Sequence, residues 1–128
     1  IEPRKIQTVA SQIDLPVTAL SLMGIKAQHP MTGRDLSIGD GQQAGRAMMQ
    51  FENNFAWMEG NQVVVLRPGK EPAHGTWNLK QKKFTLSPQS TQDSQAFAER
   101  ALANSLLPSL LYRERLYHAL PQATPHQE

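Results

Sequence analysis

A chain of 128 residues with 39% hydrophobic content suits one compact domain with a modest core. Thirteen basic against eleven acidic residues leave a formal charge of +2, too little to imply a nucleic-acid partner. The absence of cysteine excludes disulfides, thiolate metal sites and cysteine nucleophiles, and no apolar run approaches the ~18 residues of a membrane-spanning helix.

The chain opens on Ile1, with no signal-peptide pattern and no starting methionine, so we expect a processed product or a piece of a longer protein. The first element is a helix over Ser11–Ile25. Asp14 is placed to cap its free amides, Pro16 fits a first turn that needs no donor, and Gly24 sits where a left-handed stop is expected. Ile13, Val17 and Leu20 form its apolar stripe, which is expected to be covered by the carboxy-terminal helix or by a second copy of the chain, or else to be poorly ordered. Residues Lys26–Gly45 hold four glycines and a proline and read as mostly irregular, with Gly39-Asp40-Gly41 as a turn.

The middle reads as an antiparallel meander. Strands are expected at Arg46–Glu52, Phe55–Glu59, Gln62–Leu66, Gly75–Leu79 and Lys83–Leu86, with Gly60-Asn61, Arg67-Pro68-Gly69 and Lys80-Gln81-Lys82 as the turns. From Ser90 the period becomes helical. Ser90 with Asp93, or Thr91 with Ser94, caps a long helix that reaches Leu120. Its stripe of Phe97, Leu102, Leu106, Leu110, Leu116 and Leu120 is expected to bury against a sheet face carrying Trp77, Leu79 or Phe84. Pro108 should kink or split that helix.

The fold class is therefore α+β: four or five antiparallel strands packed on a long carboxy-terminal helix, with a short amino-terminal helix. The division is 1–45 for helix and loop, 46–88 for strands, 90–120 for the long helix and 121–128 for a polar tail, all one subdomain.

Little in these residues carries chemistry. His29, His74, His118 and His126 lack metal-ligand spacing, and no serine lies in a GxSxG elbow. Thr18 falls inside a helix, where its hydroxyl bonds back to the chain. Phe55, Trp57 and Trp77 read as core or sheet-face residues. Arg67, Lys70, Lys80, Lys82 and Lys83 gather around the hairpins. Basic residues there protect strand edges from pairing, or else form a rim for anionic lipid headgroups or glycans; Arg67, Lys70, Lys82 and Lys83 are the candidates for that rim.

The order SQIDLPVTALSLMGI followed by HPMTGRDL resembles the region after the catalytic core in the sulfatase branch of the alkaline-phosphatase superfamily. There a segment of the type S-x-x-D-x-x-P-T-L-L-x-L-x-G precedes a G-x-D/S-L loop. Ser11, Asp14, Thr18, Leu20, Leu22, Gly24, Gly33, Asp35 and Leu36 fit, while Pro16 stands two residues before Thr18 instead of next to it. FAWMEGNQVVVLRPGKEP, further on, resembles the membrane-anchored phosphoglycerol transferases related to lipoteichoic acid synthase. Together these stretches cover about two-thirds of the chain.

The resemblance implies a parent anchored in the inner membrane, with an extracytoplasmic or periplasmic catalytic domain. A threonine nucleophile and a divalent metal, usually manganese, would move phosphoglycerol from a lipid donor to a cell-envelope glycan or polymer. The family draws its ligands from a glutamate, that threonine and an Asp-His pair. This chain contains no Asp-His dipeptide, so no catalytic or metal-binding residue is carried over and the chain alone is expected to be inert. Its expected partner is the catalytic domain of the same parent, with Gly33–Leu36 as a loop abutting it. A self-standing module that binds an envelope glycan, lipid or protein is the alternative.

Overall fold

The computed structural model of the chain describes residues 3, 5–38, 45–87 and 91–116. A short helix, α1 (Asp14–Leu22), precedes five strands: β1 (Arg46–Phe51), β2 (Asn54–Glu59), β3 (Gln62–Leu66), β4 (Ala73–Asn78) and β5 (Lys83–Leu86). A long helix, α2 (Gln92–Arg113), follows. The strands form one antiparallel sheet in sequential order. This is the α+β arrangement expected from the sequence.

Local chemistry accounts for most of the boundaries. In α1, Gly24 adopts φ +70°. Its N–H reaches Ser21 O at 2.9 Å while Ile25 N–H reaches Leu20 O at 2.9 Å, the paired bonds by which a left-handed residue ends a helix. At the other end the helix starts at Asp14 instead of Ser11. Ile13 is the cap residue and offers no side-chain bond, so the expected capping role of Asp14 is corrected: its carboxylate is used elsewhere. In α2 the cap is Thr91 with Ser94, whose side chains satisfy each other's backbone N–H groups. The helix runs unbroken through Pro108 to Arg113, so Pro108 does not split it. It stops seven residues short of Leu120; residues 117–128, with Leu120, His118, His126 and the tail, lie outside the described residues, as do Gly39-Asp40-Gly41 and Ser90.

The helix α2 packs on the sheet as expected and Phe97 of its stripe is buried there, but the leucines of the stripe and the sheet residues it meets differ from expectation. It lies across β2 and β3, and the core comprises Trp57, Val64, Phe97, Ala98 and Ala101, with Met48 and Leu66 against them. Leu106 and Leu110 are 53% and 42% exposed and lie outside this core, while Leu102, 48% exposed, borders a hollow beside Leu66 and Ala98 at its edge. Trp77 and Phe84 are half-buried and Leu79 is exposed. The physical reason is size: beside Phe97, the small residues Ala98, Ala101 and Ser105 let the helix backbone approach Trp57 and Val64, whereas a leucine row would hold it off. The Ile13, Val17 and Leu20 stripe of α1 is half-buried, and α1 makes no comparable packing with α2. The chain that follows α1 folds back beside this stripe, bringing Ile25, Ala27, His29 and Asp35 to line a shallow hollow with Val17 and Leu20.

Candidate functional site

The residues around Asp14 form a clasp. Asp14 is fully buried, an environment a carboxylate tolerates only when its oxygens are hydrogen-bonded. Its Oδ1 accepts the Arg34 N–H at 2.7 Å and its Oδ2 accepts the Ser11 N–H at 3.1 Å. Arg34 Nη2 stands 3.5 Å from the same Oδ2 and donates to Val9 O and Arg46 O, each at 3.0 Å. One carboxylate and one guanidinium thus tie the amino-terminal segment, α1, the Gly33–Leu36 loop and the start of β1 together.

The loop is stitched to α1 at further points. Thr18 Oγ1 donates to Asp14 O at 2.7 Å, the back-bond expected of a helical threonine, and accepts from Leu36 N–H at 3.0 Å. Ser21 and Ser37 share a hydroxyl hydrogen bond of 3.0 Å. Gly33 makes the approach possible: a Cβ there would overlap Ile13 O. The residues of the two quoted stretches therefore meet in space, one being the lock of the other.

A second cluster sits beside the first. Arg46 donates from Nη2 to Thr32 O at 3.1 Å and places its guanidinium 5.2 Å from the centre of the Trp57 ring. Trp57 Nε1 donates to Glu59 Oε1 at 2.8 Å, and Arg100 Nη2 donates to Glu59 Oε2 at 3.2 Å, with its guanidinium 5.6 Å from the Phe97 ring centre. Burial pulls the Arg46 pKa below the ordinary arginine value, and the neighbouring charge of Arg34 pulls it further. Burial acts to raise the Glu59 pKa, but the hydrogen bonds from Trp57 and Arg100 and the positive charge around it prevail, leaving it below the usual value.

The candidate basic rim is divided. Arg67 and Lys70 lie in the β3–β4 turn, while Lys80 and Lys82 lie in the β4–β5 turn, with Lys83 opening β5. These turns sit at opposite ends of β4, six residues long and therefore roughly 20 Å apart. All five side chains are exposed. A cleft of about 480 Å³ opens between β4 and the start of α2, bordered by Gln62, His74, Thr76, Thr91 and Asp93. Among the described residues no three histidine or acidic side chains gather in a group able to hold a metal ion. The chemistry available in the clasp is structural: it fixes chain segments and pairs no nucleophile with a base.

Sequence reasoning picked out Asp14, Thr18 and Gly33 but missed Arg34 and Arg46 as the residues that join them to the sheet. The one local signal for Arg34 was its place inside the GRDL loop; Arg46 carried none.

No protein-family model matches the chain. Among solved structures it is similar to a protein in the alkaline phosphatase superfamily from Vibrio parahaemolyticus, with 36% sequence identity and a TM-score of 0.77. The similarity covers 91% of this chain and 28% of that one, so the chain spans less than a third of that protein's length. The likeness is one of sequence as well as fold, and it supports a place for this chain in the alkaline phosphatase superfamily.

Proposed function

We propose that this chain is the non-catalytic carboxy-terminal part of a sulfatase-like phosphoglycerol transferase. The parent moves phosphoglycerol from a lipid donor to a cell-envelope glycan or polymer outside the cytoplasmic membrane. The likeness to the alkaline phosphatase superfamily protein over 91% of the chain supports the superfamily, and the resemblance of FAWMEGNQVVVLRPGKEP to the phosphoglycerol transferases is what favours that branch within it.

In this reading the chain contributes shape. The clasp of Asp14, Arg34 and Thr18 holds the Gly33–Leu36 loop rigidly on α1, so that the loop can border the catalytic domain. The nucleophile and the manganese ligands come from that domain, because phosphodiester activation requires a nucleophile beside its metal. Arg67 and Lys70 at one end of the sheet, or Lys82 and Lys83 at the other, would attract an anionic donor headgroup or acceptor glycan.

The test is release of glycerol phosphate from phosphatidylglycerol or a chromogenic analogue in the presence of manganese. The full gene product is expected to be active and the 128-residue chain inert. Turnover by the chain alone, or a full product that cleaves only sulfate esters, would overturn the assignment.

A further inference from the structure

The sheet has two faces, and the pairing register assigns every strand residue to one of them. The face under α2 carries Trp57 and Val64 at its centre and polar residues toward its margin: Arg46, Glu59, Gln62, Thr76 and Lys83. An antiparallel sheet covered on one side only is expected to be polar on the other. Here the opposite is found. The face turned away from α2 bears Met49, Phe51, Met58, Trp77, Phe84 and Leu86 among smaller apolar residues, no charged side chain, and one polar residue, Asn54, beside the β1–β2 turn.

At its middle Ala47 and Val63 are buried. Its margins are open: Met49, Phe51 and Leu86 are 45%, 74% and 63% exposed. Five strands about 4.8 Å apart and about 17 Å long give the whole face an area on the order of 400 Å², of which the margins are the open part, within the ~300–600 Å² of the largest apolar patch on a typical monomer.

Resting on the function proposed above, we infer that this apolar sheet face is the surface on which the chain docks against the catalytic part of its own polypeptide. Size argues for an attached partner. Two copies meeting through this face would bury about 800 Å² in total, no more than a packing contact between crystal neighbours. A segment of the same chain needs less, since the tether supplies a high effective concentration. The lack of charge fits a permanent contact, because obligate interfaces resemble a domain core cut in half. The similar protein from Vibrio has most of its length outside the matched part, which provides a body of sufficient size.

The chain contains no cysteine, so introduced thiols can report on the face. Phe51→Cys and Leu86→Cys, with Gln92→Cys on the first turn of α2 as the rate standard, would be treated with a maleimide in the 128-residue chain and in the full gene product. Circular dichroism melts would verify that each variant folds. Labelling at positions 51 and 86 is expected to be rapid in the isolated chain and at least about tenfold slower in the full product. Equal rates in both would overturn the inference. So would slowing that appears in the isolated chain as its concentration rises, which would mean a second copy, or slowing only on phosphatidylglycerol vesicles, which would mean a lipid surface. Thiol protection does not depend on turnover. A protected but inactive full product would therefore sink the transferase reading alone, and an active, unprotected one would sink the docking face alone.

Discussion

Replacing Asp14 by alanine removes the centre of the clasp. The side chain is fully buried, and its loss strands two N–H groups, those of Arg34 and Ser11, that it accepts at 2.7 and 3.1 Å. An unsatisfied buried donor costs about 1–3 kcal/mol. These amides are partly buried, so the lower half of that range applies to each. The guanidinium of Arg34, whose side chain is 21% exposed, also loses its ion pair with Asp14, and breaking one side of a buried pair costs about 3–5 kcal/mol in all. We expect a total in that range, equivalent at this chain length to a fall in melting temperature of roughly 10–20 °C. Both tryptophans, Trp57 and Trp77, lie in the sheet, so their fluorescence during urea unfolding reads whether the clasp supports the strands through the Arg34–Arg46 bond. Asp14→Asn keeps the shape but turns an N–H₂ toward a neighbouring donor, and should recover less than half the loss. If Asp14→Ala unfolded within about 1 kcal/mol of the wild type, the clasp would be ornamental to stability and the reasoning refuted.

Gly33→Ala should be destabilising by about 1–3 kcal/mol, since its Cβ would overlap Ile13 O; hydrogen exchange at the Arg34 amide should quicken, and an unchanged rate would show that the loop yields freely. Trp57→Ala should cost about 3–5 kcal/mol, whereas Leu106→Ala, at a half-exposed position, should cost less than about 1 kcal/mol in the isolated chain. Urea midpoints that reversed this order would put the leucine row back against the sheet. Because the Glu59 pKa is lowered on folding, its contribution is present above the ordinary glutamate value and is lost as pH falls through the folded value. A Glu59→Gln variant should therefore be less stable than wild type at pH 7, with the gap closing below about pH 4. The gap should be small, because the side chain is 36% exposed and solvent screens it.

The strands and turns were legible in the sequence because their determinants are local. QVVVL is β3 residue for residue, Lys83–Leu86 is β5, and Gly60-Asn61 makes the turn between β2 and β3. The Thr91–Ser94 box and the Gly24 stop are likewise set by residues within one helical turn of each other. What each face would meet was another matter. The leucine row of α2 was visible as a stripe, yet periodicity states only that a helix has an apolar side, not which surface lies opposite. In the folded chain the small residues Ala98 and Ala101 won the sheet, because contact energy depends on how closely two surfaces can approach. Asp14 shows the same division. Its neighbours along the chain suggested a helix cap, but Arg34, twenty positions away, offers an amide and a charge to the buried carboxylate. A buried carboxylate is settled by whichever donors the tertiary fold brings to it.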